Sequence, residues 1–233
     1  MTQRTPNPVW SITAILLALF FAPQVHPQSV LVDQVIAVVN GDLILESDID
    51  EERRFEAFQP ITQAEGPSAR AALIERLIDR ALILQQAKLQ PDDRVTLPMA
   101  QANLNAIRAD IPACKQFHCE TDDGWHKFIE SQGFSVGQLE ELWRQRMETL
   151  KFVELRFRSG IRITPAEIKN YYDNTLVPQL ARRNLAPPAL DSVSDRIQEI
   201  LLQQRVGGLL NDWLTSLKAQ GTVRIMKPGV EAQ

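Results

Sequence analysis

Residues 34–46 read QVIAVVNGDLILE, two aliphatic and β-branched runs on either side of Asn40-Gly41-Asp42. Asn-Gly is the strongest short-range hairpin signal, because both residues accept the positive φ that a two-residue hairpin turn demands. The stretch predicts two antiparallel strands. A lone hairpin is marginal in water, so a further strand or a helical layer must cover it. Residues 222–226 (TVRIM), just after Gly221, are the remaining strand candidate, and their pairing with the hairpin would join the two ends of the core.

Between these strands the chain reads as helices with legible start signals. Ser47 followed by Asp50 opens a helix over 48–59, and Ser68 opens a longer one through Leu89, with Leu73, Leu77, Ile78, Ala81 and Leu84 on one face. Thr96 caps a helix reaching about Ile111. Ser135 and Gln138 form a capping box, with Phe134 placed to staple onto Leu139. The helix they start runs toward Gly160 and carries Leu139, Leu142, Trp143, Met147, Leu150 and Val153 as its apolar stripe. Thr164-Pro165-Ala166-Glu167 unites an N-cap, a first-turn proline and a capping-box glutamate, and launches a short helix through Asn174. Residues 176–190 (LVPQLARRNLAPPAL) hold three prolines and no period, and read as a linker. One long helix follows over 192–219, its buried stripe formed by Val193, Ile197, Ile200, Leu201, Leu209, Trp213, Leu214 and Leu217. Gly207-Gly208 marks a weak point or kink within it, each glycine costing about 1 kcal/mol relative to alanine.

Composition agrees with a mainly α fold. Of 233 residues 44% are hydrophobic but only 6% aromatic, which disfavours a β-sandwich or barrel. Ten glycines and 14 prolines are ordinary globular usage, so low-complexity scaffolds are excluded. With 25 Lys and Arg against 29 Asp and Glu, the net charge is -4 and no general basic surface exists to attract a phosphate backbone, which excludes nucleic acid as a partner. At the N-terminus, Arg4 precedes an apolar run at 11–22 (SITAILLALFFA) and a polar exit at 23–29 (PQVHPQS). That run falls short of the roughly 20 apolar residues a bilayer span needs. It predicts a cleaved export signal over 1–28, with an uncleaved anchor as the alternative. No cysteine that could accept a lipid precedes Cys114.

Four stretches carry a family likeness. VDQVIAVVNGDLILESDID at 32–50 closely resembles the N-terminal segment of SurA-type periplasmic chaperones, and ALIERLIDRALILQQAKLQ at 72–90 is similar to the long helix that follows it there. RITPAEIKNYYDN at 162–174 resembles the last helix before the parvulin (peptidyl-prolyl isomerase) module of that family, and DRIQEILLQQRVGGLLNDWLTSLKAQGTVRIM at 195–226 its returning C-terminal helix and strand. The resemblance implies a helical core over 29–175, completed by a helix and strand over 191–226, with 227–233 as a tail. The linker at 176–190 stands where the family carries its isomerase. Only twenty residues separate Asn174 from Asp195, and none of the three histidines, His26, His118 and His126, follows Asn174 to supply the parvulin histidine pair. What the likeness implies is a periplasmic, ATP-independent holdase for unfolded exported polypeptides, outer-membrane proteins among them, without cofactor and without the enzyme. A dedicated assembly subunit of an envelope complex and a degenerate prolyl isomerase are the alternatives.

Few residues suggest chemistry. Cys114 and Cys119 flank KQFH, and in an exported protein so close a pair most simply forms a disulfide. A metal site of Cys114, His118, Cys119 and His126 has the right ligand types but matches no familiar zinc spacing, and free thiols are the third reading. The run Glu46, Asp48, Asp50, Glu51 and Glu52 reads as favourable charge around a helix N-terminus rather than as paired catalytic carboxylates. No nucleophile-and-base motif or phosphate-binding glycine loop occurs, so no catalytic residue is assigned. For client binding the candidates are Phe55, Phe58, Trp125, Phe128, Met147, Trp213 and Met226, each of which must choose between an exposed groove and the core.

Overall fold

The computed structural model describes Thr2 and residues 33–59, 69–90 and 94–226. The signal expected over 1–28, the helix-opening Ser68 and the tail over 227–233 lie outside these.

The hairpin forms as its sequence requires. Strands β1 (Val35–Val39) and β2 (Asp42–Leu45) pair antiparallel, with Ala37 opposite Ile44 and Val39 opposite Asp42. Asn40 and Gly41 take φ of 52° and 96°, both left-handed. Asn40 also serves as a clamp: its amide donates to Gln85 Oε1 at 2.8 Å, and its Oδ1 accepts the Thr222 N–H at 2.8 Å. The third strand, β3 (Val223–Ile225), adds to the other side of β1, giving the order β2-β1-β3. This joins the C-terminal strand to the hairpin and confirms a mainly α fold with one small antiparallel sheet.

Strand β2 runs directly into α1 (Glu46–Phe55). Ser47 therefore lies inside the first turn and is not the cap; its hydroxyl goes to the Asp33 carboxylate, while Asp48 Oδ2 accepts the Leu45 N–H at 2.7 Å. Helix α2 (Arg70–Ala87) buries Leu73, Ile74, Ile78, Leu82, Ile83 and Ala87. This stripe is wider than the one expected, and it leaves Leu77 and Ala81 only partly covered. With Ile36, Val39 and Ile44 of the sheet, Phe152 and Leu214, it makes the first core.

A second core gathers around Phe55 and Phe58. It is built by α3 (Leu97–Ile107), 3-10 turns at 108–110 and 112–117, α4 (Asp122–Ser131) and α5 (Val136–Val153). Helix α3 ends sooner than expected, passing into those 3-10 turns. Helix α4 is capped by Thr121, whose hydroxyl accepts the Gly124 N–H at 3.1 Å. At the start of α5 the Ser135–Gln138 capping box forms as expected. Leu150, placed on the buried stripe by its spacing, is 54% exposed, whereas Glu148 is buried.

Beyond a π-turn at 154–158, α6 (Pro165–Tyr171) starts from a complete Thr164–Glu167 box. It does not end in a linker. A π-turn at 172–176 carries it into α7 (Val177–Arg182). The wider turn suits Pro178, which has no N–H to give and whose ring would crowd an ordinary helical turn. Helix α8 (Leu190–Gln220) is helical throughout, Gly207 and Gly208 included. Only Ile197 and Leu214 are fully buried on it; Leu210, Trp213 and Leu217 are partly buried, and Leu209 is exposed. Its C-terminal half packs on α2 and the sheet while its N-terminal half meets α6, so neither half is covered all round.

Candidate functional site

Each side chain expected to face a client has a definite place. Phe55 and Phe58 are fully buried, as is Phe128, and Trp125 is 6% exposed. Phe58 lies 4.9 Å from Phe128, 5.6 Å from Phe134 and 6.0 Å from Trp125 between ring centroids. These four are therefore core residues: an aromatic cluster that seals itself is worth more closed than open. Met147 is partly buried against the same core. Trp213 is stacked on Phe152 at 5.7 Å, meets Phe157 edge-on at 5.5 Å and lies under the Arg156 guanidinium at 4.8 Å, which fastens α8 to the end of α5. Met226 follows β3, its N–H bonded to the Ile36 carbonyl at 2.8 Å.

The acidic run divides into separate tasks. Glu46 pairs with Arg70, Asp48 caps the helix and Asp50 pairs with Arg53. Glu52 is different: at 1% exposure its two oxygens meet Arg76 at 3.1 Å and Arg80 at 2.7 Å. Arg146 stands close enough to both arginines for burial and their charge to lower its pKa. Glu51 lines a mixed cleft of about 620 Å³, with Asp48, Arg80 and Gln145 among apolar side chains such as Leu77 and Leu142, and burial beside Asp48 raises its carboxyl pKa. Asp48 Oδ2 is held by the Leu45 N–H, and both Glu52 oxygens are held by arginines. The network binds α1 to α2.

Cys114 and Cys119 stand in disulfide geometry, their Cα atoms 5.7 Å apart. His118 between them adopts a left-handed φ of 56° and faces Glu120 at 3.2 Å. Among the described residues no group of three or more His, Cys, Asp or Glu side chains converges on a metal position.

A more strongly apolar groove open to solvent lies in the segment read as a linker. This groove, of about 800 Å³, runs between α6–α7 and the first turns of α8. Leu176, Leu180 and Leu185 form one wall, and Val193, Ile197 and Ile200 the other. The last three recur at spacings of four and three, one face of a helix. Tyr171 closes one part, and the Tyr172 hydroxyl holds the loop by donating to the Pro188 carbonyl at 2.6 Å. Sequence reasoning missed this wall because the prolines drew attention from Leu176 and Leu180, which stand one helical turn apart.

A chaperone named SurA from Alcanivorax borkumensis is 28% identical over 150 residues, covering 64% of this chain and 34% of its own length. Those from Hydrogenovibrio crunogenus and Chromohalobacter salexigens are 26% and 24% identical, covering 89% and 70% of this chain. The chain is similar to SurA chaperones. It spans between a third and a half of the length of these SurA relatives. No protein-family profile matches the sequence. Among the described residues no helix is long and apolar enough to cross a membrane.

Proposed function

We propose that this protein is a periplasmic, ATP-independent holdase that binds unfolded exported polypeptides, outer-membrane proteins among them, through apolar contacts. The observation that carries the reading is the open groove between α6–α7 and α8, in a chain similar to SurA chaperones. Apolar surface left in water on a folded protein marks a place where another apolar surface is received. Binding the unfolded state lowers its free concentration, and aggregation slows by mass action without fuel. The reading includes export by the segment over 1–28 and a disulfide between Cys114 and Cys119, which an oxidising compartment favours. It includes no isomerase between Asn174 and Asp195, a reading supported by the end of a π-turn, α7, a short loop and the start of α8 in those twenty residues.

Dilution of a urea-unfolded outer-membrane porin into buffer, followed by light scattering, tests the reading. Equimolar protein without nucleotide is expected to delay aggregation, and Leu185→Asp to abolish the delay. Unchanged scattering with the parent protein would sink the holdase. In the same preparation a proline-peptide assay should show the uncatalysed isomerisation, with a half-time of tens of seconds or more.

A further inference from the structure

The α7 wall of the groove is fixed by backbone bonds. Asn184 takes a left-handed φ of 58°, its N–H donates to the Ala181 carbonyl at 3.0 Å, and the Leu185 N–H reaches back to the Leu180 carbonyl at 3.0 Å. This is the Schellman pattern, which sets the residue after the left-handed one against the residue whose carbonyl it binds. Leu180 and Leu185 are thereby placed together on the groove wall, yet Leu185 remains 54% exposed. A helix end built to hold a leucine in water at the lip of an apolar groove is arranged for contact.

Charge supplies the second part. The groove lining holds one charged residue, Arg196, and among the described residues no carboxylate pairs with it. Arg182 and Arg183, which end α7 between the lining residues Leu180 and Leu185, are likewise without a carboxylate. Glu199 is bound by Arg158 at 2.9 Å and Glu167 by Thr164 and Arg205, and of the other acids in the N-terminal half of α8, Asp191 and Asp195, neither pairs with Arg196 among the described residues. Extending the chaperone reading, we infer that this groove selects unfolded segments in which apolar side chains flank an aspartate or glutamate, whose carboxylate meets Arg196. Apolar walls supply affinity for any such segment. Arg196 sorts them, favouring an acidic residue and disfavouring a basic one at the same place.

Fluorescence anisotropy with the full chain tests this, using three labelled apolar peptides that differ only in a central Glu, Gln or Lys. The order Glu, Gln, Lys from tightest to weakest is expected at about 50 mM salt, with a spread of roughly three- to tenfold as befits exposed charge pairs. It should shrink at about 500 mM salt, where the screening length is a few ångströms. Arg196→Glu should invert the order, and Leu185→Asp should weaken the Gln peptide; both positions are exposed, and both variants should melt with the parent. Equal binding of all three peptides overturns the selection while leaving the chaperone reading intact. An order unchanged in Arg196→Glu overturns it by placing the carboxylate elsewhere. No binding of any peptide overturns the chaperone reading itself. Free decanoate that competes while the peptides show no order would assign the groove to an acyl anion and overturn the inference.

Discussion

Glu52 sits at the middle of the stripe Ile49, Glu52, Phe55, all three buried. A carboxylate at that spacing on an apolar stripe is a legible anomaly, which the reading of the whole acidic run as charge around a helix N-terminus passes over. Its burial is balanced by Arg76 and Arg80, and with it gone Arg76 would keep Glu56 at 2.9 Å while Arg80 would lose its carboxylate beside Arg146. Removing one partner of a buried pair is costly, so Glu52→Gln is expected to lose about 3 kcal/mol in urea denaturation. A loss below about 0.5 kcal/mol, the range of an ordinary surface change, would show that the network does not hold α1 to α2. Glu167 offers a pH-dependent counterpart. The Thr164 N–H and hydroxyl, each at 2.8 Å, and then Arg205 hold its carboxyl pKa down to about 2 from an ordinary 4.5. The folded value lies below the unfolded one, so the cap contributes fully above about pH 4.5 and is lost as pH falls toward 2. Carbon-detected titration of Glu167 should show this low midpoint, and Thr164→Ala should raise it toward the ordinary value while costing about 1 kcal/mol of stability.

At the scale of elements, α4 depends on a glycine. Gly124 lies under the turn that carries His118 and Cys119, and a Cβ there would be driven into the carbonyl oxygens of Phe117 and His118. Backbone cannot swing aside as a side chain can. Gly124→Ala is therefore expected to destabilise by about 3 kcal/mol, the upper end of overpacking costs, read as a lowered melting temperature. A variant melting with the parent would mean that the loop moves freely against α4. The same helix shows where sequence was silent. Trp125, Phe128 and Ile129 follow helical spacing after a Thr121 cap, although no start signal for a helix is assigned there from sequence. Capping boxes at Ser135 and Thr164 and the Asn40-Gly41 turn were legible because each is decided by residues within four positions of one another. The π-turn before Pro178, the twofold covering of α8 and the groove were not, since they depend on which surfaces meet across the chain.

For the molecule as a whole, α8 is a wall of the core. Lys218 pairs with Glu75 at 2.9 Å and Asp79 at 2.7 Å on α2, Trp213 stacks on Phe152, and β3 completes the sheet. A chain ending at Pro188 would uncover Phe152, Ala37 and Val39 and lose one wall of the groove. Its expected behaviour is broad or absent thermal unfolding together with loss of porin protection in light scattering. A truncated chain with the parent's melting temperature and activity would refute the closed core. The pairing of β1 with β3 also sets a timetable. Val39 and Val223 are partners more than 180 positions apart. An exported chain crosses from its N-terminus, so the first strand waits for nearly all the described residues to follow before the last can join it. Throughout that interval the edge of β1 that will receive Arg224 stands unpaired beside other unfolded exported chains. Until its own final strand arrives, the protein is in the condition from which it is proposed to protect others.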